Sequence, residues 1–504
     1  MSTNNTSKKV VGFSSVWKSD LLAGFGVSLI ALPLCLAIAT ASGFPPISGI
    51  ITAIIGGLFA SRLSGSNITI YGPAAGLIVV NLHAIEVLGG YEFALAAIAA
   101  AGLLIFLLGH FKFGKLSDFF PPAVVKGMLT AIGIIILVKQ VYIAFGVQDS
   151  SSSILDSILH LPYIFTHINY PIAIISGISL FILLLHPKLK IKFVQKVPAP
   201  LWVLIAAVFI GNMIHLPVDG LIKIPENLIG SIQLPNFAKM NTYPFWICAF
   251  SIAIITSLES LLSTASLDTL DPLKRKSDLN KDLSAIGVGS SLAAIIGGLP
   301  MISEIVRSSA NVSLGGKTQW SNLFHAAFLL LFVVLGSSLI NQIPIAALAV
   351  MLIMVGYKLA APQHFVAMYK LGYVEFITFI STVVGVLLTD LLIGIMIGMA
   401  AELILHYLQG FPLSKTFTSG YSISEEHDHI ELHVKGGLIF SNYYLSLKKQ
   451  IVALSSKADL VIDLSEVNYL SKSAWTKIDD FIHHTHTGNR TIKVVNANHL
   501  VLTS

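Results

Sequence analysis

Charge is scarce in this chain. Asp, Glu, Lys and Arg make up 11% of its 504 residues and hydrophobic types 54%, whereas an average soluble domain is roughly one quarter charged. That balance excludes a water-soluble globular protein. Cysteine is nearly absent. Cys35 and Cys248 both lie in apolar runs, which excludes a disulfide scaffold and leaves them as small core residues. No nucleotide-binding motif or domain occurs, so the chain alone does not drive primary transport. No nucleophile–base set or convincing metal motif appears, which argues against an enzyme. The net charge is +5, but the basic residues are dispersed, so nucleic acid is not an expected partner. No cleavable signal peptide is apparent, because the polar segment 1–19 leads directly into a full-length apolar run.

What the chain does have is apolar runs of about 20 residues, the length that crosses a bilayer. They predict about fourteen spans over residues 20–410, with membrane lipid as the surrounding solvent. The runs are 20–40, 47–63, a broken element near 64–80, 91–111, 122–145, 171–186 and 201–215. After a proline-rich loop come 244–267, 283–296, a second broken element at 302–319, then 321–340, 344–361, 376–392 and 393–408. Pro33 lies inside the first and predicts a kink. With a cytoplasmic N-terminus, even-numbered spans end at Arg62, Lys112 with Lys115, Lys188 to Lys196, Lys274 to Lys281, Lys317, Lys370 and Lys415. The opposite side carries Asp149, Asp156 and Asp219, with Lys223 and Lys239 as exceptions. Short loops biased this way put the N-terminus and the C-terminal domain in the cytoplasm.

The stretch 302–319 follows the Gly-Gly-Leu-Pro break at 297–300 and carries Arg307 far from either end of the apolar region. It is too polar to face lipid. Irregular backbone at membrane depth survives only where protein or a cavity surrounds it, and an arginine there marks a functional site. The alternative is a cytoplasmic loop that contains an arginine. A matching break occurs at 64–80, where an extended run at 67–71 precedes a helix starting at Pro73. The breaks are third and tenth of fourteen spans, so they correspond in two seven-span halves, about 20–216 and 244–408. An odd count per half makes the repeats inverted, and paired broken helices point to a midplane site.

Two such half-helices present positive dipole ends and free N–H groups. The first offers Gly72, Pro73, Ala74 and Ala75; the second offers Val306, Arg307, Ser308 and Ser309, the serines as hydroxyl donors. This pocket favours a small anion. The small residues also suit close helix packing. Glu259, in the run SLESLLS, is the acidic counterpart. In a membrane it must be paired, protonated or bound to a cation. It either carries a proton with the anion or forms a sodium site with Ser263 and backbone oxygens. Its structural alternative is an ion partner for Arg307 or Lys139. Glu304 is a weaker candidate for the same roles. No cofactor is implied beyond Na+ or H+ as coupling ion, and no metal beyond sodium.

After a linker at 411–429 the composition changes. Residues 430–504 read as a small α/β layer: strands at 430–436, 460–464 and 491–495, helices at 443–455 and 473–486. A loop at 465–471 offers Ser471 for modification, and Ser473 reads as a helix cap. His427, His429 and His433, and His483, His484 and His486, read as surface histidines rather than a metal site.

The runs ALPLCLAIATASGFPP, ITIYGPAAGL, ESLLS and GGLPMISEIVRSSANVSLGGKTQ together resemble the SulP inorganic anion transporter family, bacterial relatives of the solute carrier 26 proteins. The C-terminal part resembles its STAS domain, although DLSEVNYLSKSAW departs from the usual loop. The resemblance implies a polytopic α-helical membrane protein with two inverted seven-span repeats, a core of spans one to four and eight to eleven, and a gate from the rest. It also implies a homodimer in a bacterial inner membrane and elevator-like alternating access. Sodium-coupled relatives have aspartate and threonine where this chain has Glu259 and Ser263. The first-span run tilts the expected anion towards bicarbonate, with sulfate or a similar anion next. The competing readings are an uncoupled anion channel or exchanger, and a membrane-anchored regulatory or scaffold protein.

Overall fold

The computed structural model describes residues 13–149, 151, 153–191, 194–195, 197–224, 232–425, 429–455, 458–484 and 491–496. Most of the 1–19 segment, His427 and His486 lie outside them. Two compact units result. The first comprises the described residues up to Lys115 together with Ile135–Tyr357; the second comprises Leu116–Ile134 and Lys358 onward.

In the first unit α1 (Phe13–Ala41) runs through Pro33 and leads by a turn to α2 (Pro46–Ile55), which starts with proline at its first helical position. That position suits proline, because its missing N–H has no helical acceptor there. A π-helical turn, Gly56–Ala60, extends α2. The chain then runs extended into strand β1 (Tyr71–Pro73). A 3-10 turn at Ala75–Leu77 opens α3 (Ile78–Leu88). The helix therefore starts later than Pro73, because Pro73 closes the strand. Helices α4 (Tyr91–His110), α5 (Pro122–Phe145), α6 (Tyr170–Leu185) and α7 (Ala199–Met213) follow, α5 passing from one unit into the other.

The later half opens with α8 (Tyr243–Leu267) and α9 (Leu279–Ile295). Asp278 caps α9 by accepting from the Asn280 and Lys281 amides. Strand β2 (Met301–Ser303) leads into the short α10 (Ile305–Ser313), then α11 (Trp320–Ile340) and α12 (Ile345–Leu359). Within the unit α4 packs on α8 and α9, and α1 packs on α2, α10 and α11. The α4–α9 contact is close because glycines face it: a β-carbon on Gly102 would meet Ser291, and one on Gly287 would meet Phe106.

The second unit holds the start of α5, a short helix Pro362–Leu371, α13 (Tyr373–Leu388), α14 (Leu391–Leu408) and the C-terminal sheet. Asp390 caps α14 through the Ile393 amide. The sheet contains β3 (Gly420–Glu425), β4 (His429–Leu438), β5 (Asp459–Leu470) and β6 (Ile492–Val495), in that order. β3 pairs antiparallel with β4; the other pairs are parallel. Helices α15 (Lys448–Ser455) and α16 (Lys472–His484) cover it. Leu432, Val434, Ile462 and Leu464 form the core with Leu447, Ile451 and Ala474.

Three expectations for this region change. The sheet begins at Gly420, ahead of the composition change at 430. Residues 465–470 are strand rather than loop, because β4 continues through Lys435–Leu438 and pairs with them. Ser471, not Ser473, caps α16 through the Ala474 amide. His433 bonds Asp463 at 2.9 Å, and no group of three metal-ligating side chains that could hold an ion occurs among the described residues.

Nine helices among the described residues are long and apolar enough to cross a membrane. This is a polytopic α-helical membrane protein with a C-terminal α/β domain. Of the other five expected spans, four overlap α7, α9, α10 and α13, while the broken element at 64–80 is mostly extended chain and turn and reaches only the start of α3; these helices are too short or too polar to count by length and composition.

Candidate functional site

The two broken elements meet. β1 and β2 pair antiparallel, with Tyr71 opposite Ser303, Gly72 opposite Ile302 and Pro73 opposite Met301. The pairing satisfies part of the non-helical backbone that an apolar interior would otherwise leave bare. Side chains satisfy more of it. Asn311 Nδ2 donates to the Ile68 carbonyl at 2.9 Å, Asn322 Nδ2 to that of Thr69 at 3.2 Å, and Thr52 Oγ1 accepts from the Leu299 amide at 2.7 Å.

Arg307 lies on the first turn of α10 and is fully buried. Its Nη2 donates to the Pro73 carbonyl at 3.3 Å. A β-carbon on Gly72 would land on its Nη1, so only glycine leaves room for the guanidinium. Nε and Nη1 have no hydrogen-bond partner, and no carboxylate lies within ion-pair distance among the described residues. Glu304, Cys35 and His325 are within its electrostatic reach. A buried charged donor without an acceptor is unfavourable by about 1–3 kcal/mol or more. A small anion accepting from Nε and Nη1 removes that cost.

The remaining candidates divide. Ala74 and Ala75 are buried beside Pro73, while Val306 is exposed on one side of α10. Ser308 Oγ accepts from the Ile70 amide at 2.8 Å and donates to the Glu304 carbonyl. Its hydroxyl therefore ties the strand to the helix. Ser309 is half-buried on the same turn. Glu259, on α8, rests its carboxylate against Gly76, where a β-carbon would collide with it. Its Oε2 has no partner. Lys139 pairs with Asp149 at 2.8 Å instead, so neither proposed cation pairs with Glu259. Glu304 is within electrostatic reach of both Glu259 and Arg307. Ser263 is buried one helical turn beyond Glu259.

A network that the sequence did not reveal lies behind the strands. Asp282, which directly precedes the expected span 283–296 and follows the basic stretch Lys274 to Lys281, is buried in the first turns of α9. It accepts from the Tyr71 hydroxyl, from Thr264 Oγ1 at 2.7 Å and from Ser303 Oγ at 3.1 Å. One carboxylate thus holds both strands and α8. The only signal was a carboxylate four residues past a helix cap, on the face that turns inward.

A buried guanidinium with open donors thus lies at the start of α10, beside the strand that leads to α3, inside a polytopic α-helical membrane protein. Residues 17–382 match the sulfate permease family, and the chain belongs to it. It is thus of the SulP and solute carrier 26 type of anion transporter, not an enzyme. YvdB of Bacillus subtilis (strain 168), a sulfate transporter by name, is 25% identical over 95% of this chain and 91% of its own length. The bicarbonate transporter BicA of Picosynechococcus sp. is 23% identical over 95% of this chain and 88% of its own. The solved structure of SLC26A9 superimposes with a TM-score of 0.73 at 15% identity, over 96% of this chain and 85% of that one.

Proposed function

We propose that the chain is a secondary active transporter of a small inorganic anion, bicarbonate first and sulfate or a similar anion next. The observation that carries this is Arg307, buried with two unpartnered donors beside Gly72 and Pro73. The anion lies among Gly72, Pro73, Ala74, Ala75, Val306, Arg307, Ser308 and Ser309. Glu259 and Ser263 handle the coupling ion, sodium or a proton. The unpaired Glu259 Oε2 supports that role, because a buried carboxylate without a cationic partner needs a proton or a cation.

In this reading 20–410 is the transport domain, built from inverted repeats 20–216 and 244–408. Spans one to four and eight to eleven form a core that moves, elevator-like, against a gate. Residues 411–419 lead into the STAS-like domain, whose sheet begins at Gly420. The protein is a homodimer of a bacterial inner membrane, with both ends of the chain in the cytoplasm. Kinship with BicA and YvdB supports both anions without choosing between them.

The test is uptake of labelled bicarbonate and, separately, sulfate into proteoliposomes under sodium or proton gradients imposed one at a time. Bicarbonate driven by sodium makes Glu259 and Ser263 a cation site. Sulfate driven by protons makes Glu259 the proton carrier. Uptake unchanged in Arg307→Ala refutes the anion site, and flux indifferent to both gradients and to Glu259→Gln indicates a channel or exchanger.

A further inference from the structure

We propose that the cavity between the start of α5, α13, the end of α14 and α16 binds a phospholipid head group that carries both a phosphodiester and a primary ammonium. All the residues involved lie in the second unit, and the inference is independent of which anion is carried.

The cavity holds about 190 Å³. Pockets for drug-sized molecules run to about 300–1,000 Å³, so this one admits a head group and is too small for a nucleotide. Its wall carries two cations, Lys126 and Lys477, and two carboxylates, Glu375 and Glu402. Glu402 is only 7% exposed, and its Oε2 meets no donor. Glu375, buried on the first turn of α13, accepts from the Ser473 amide at 3.2 Å and lies within electrostatic reach of Glu402. Lys126 is half-buried near the start of α5. Among the described residues no ion pair joins Lys126 to either glutamate. Two neighbouring carboxylates in a buried wall call for a cation between them. A lone cation, however, also meets the lysines, and a lone anion also meets the glutamates. A zwitterion that spans the cavity answers both. Its ammonium donates to the carboxylates, and its phosphate oxygens accept from Lys126 and Lys477.

The surroundings point to a lipid rather than a free zwitterion. α5 and α14 are long and apolar enough to cross a bilayer. Lys126 and Glu402 lie within about two turns of their ends, near the level of the head groups. Met368 and Leu371 line the same cavity and suit the glycerol and the first acyl carbons. Their helix, Pro362–Leu371, also exposes Val366 and Tyr369. Exposed tyrosine is enriched at the boundary between membrane and water.

Native mass spectrometry of the full-length protein in detergent tests this, with phosphatidylethanolamine, phosphatidylcholine and phosphatidylglycerol of matched acyl chains. Wild type is expected to hold phosphatidylethanolamine at least roughly tenfold more tightly than either of the others. Phosphatidylcholine has no N–H to give, and the head group of phosphatidylglycerol has no cation. The double variant Glu375→Gln, Glu402→Gln keeps the shape of the wall and an acceptor for the Ser473 amide. In it phosphatidylethanolamine is expected to fall to the level of phosphatidylglycerol, whose own binding is not weakened and so reports an intact wall. Lys126→Met is expected to weaken both lipids together. A wild type that does not discriminate among the three overturns the proposal, as does a preference that survives in the double variant. Glycerophosphoethanolamine, the same head group without acyl chains, is expected to bind far more weakly. Equal binding would make the ligand a soluble zwitterion and overturn the lipid assignment.

Discussion

Arg307, reaching from α10, comes so close to Gly72 of β1 that the side-chain position of the glycine is filled by the guanidinium. The relationship is specific: glycine sits at the middle of β1 because an arginine reaches it from α10. Gly72→Ala is expected to displace the guanidinium and cut anion uptake by at least about tenfold, equivalent to about 1.4 kcal/mol. Arg307→Lys is expected to raise KM for the anion, because a single ammonium cannot present Nε and Nη1 together. Uptake kinetics in proteoliposomes check both.

Glu259 and Gly76 have the same relationship. Gly76→Ala moves the carboxylate without changing its chemistry, whereas Glu259→Gln removes its charge in place. If Glu259 handles the coupling ion, both variants lose the response to an imposed sodium or proton gradient. Any uptake down the anion's own gradient persists. Gradient-driven uptake compared with counterflow exchange separates the two quantities.

Asp282 accepts from three hydroxyls, and Asp282→Ala removes that acceptor from Tyr71 and Ser303, while Thr264 Oγ1 keeps Ser303 Oγ at 2.7 Å. The expected loss of stability is on the order of 3 kcal/mol, and about 1 kcal/mol for Tyr71→Phe, which removes one bond. Thermal unfolding in detergent measures both, and the order Asp282→Ala below Tyr71→Phe below wild type is the prediction.

Asp149 lies in the loop after α5. Burial pushes its carboxyl up, but hydrogen bonds from Lys139, Ser157 and Ser151 outweigh this and hold it at about 2. A carboxyl below its unfolded value of about 3.9 stabilises the fold above that pH and loses the contribution as pH falls through the folded value. The loss falls between about pH 4 and 2 and is on the order of 1 kcal/mol, since Lys139 is partly exposed and screened. Lys139→Met is expected to flatten that part of the acid-stability curve, followed by thermal unfolding at successive pH values.

The sequence disclosed the parts that announce themselves locally. An arginine among apolar runs, a proline after an extended stretch and a glutamate in mid-span are each improbable in lipid, so position alone singled out Arg307, Pro73 and Glu259. Helices followed from run length. What stayed hidden depends on distant pairing. Tyr71 and Asp282 are far apart in the chain, and a carboxylate next to the basic stretch Lys274 to Lys281 looks like solvent-facing charge. The buried roles of Asn311 and Asn322 depend on which strand runs past them. In the C-terminal domain β5 continues beyond its apolar half because β4 continues beside it. Polar letters from Ser465 onward suggested a loop, since strand length there is set by the neighbour rather than by composition.

The three-residue ladder between β1 and β2 joins the starts of α3 and α10 into one piece. Neither half can drift from the other without breaking the ladder and releasing the hydroxyls gathered on Asp282. If the chain moves its solute as proposed, the solute travels with this cradle intact, and changes in lipid or in the surrounding surfaces are expected to alter speed while leaving selectivity untouched.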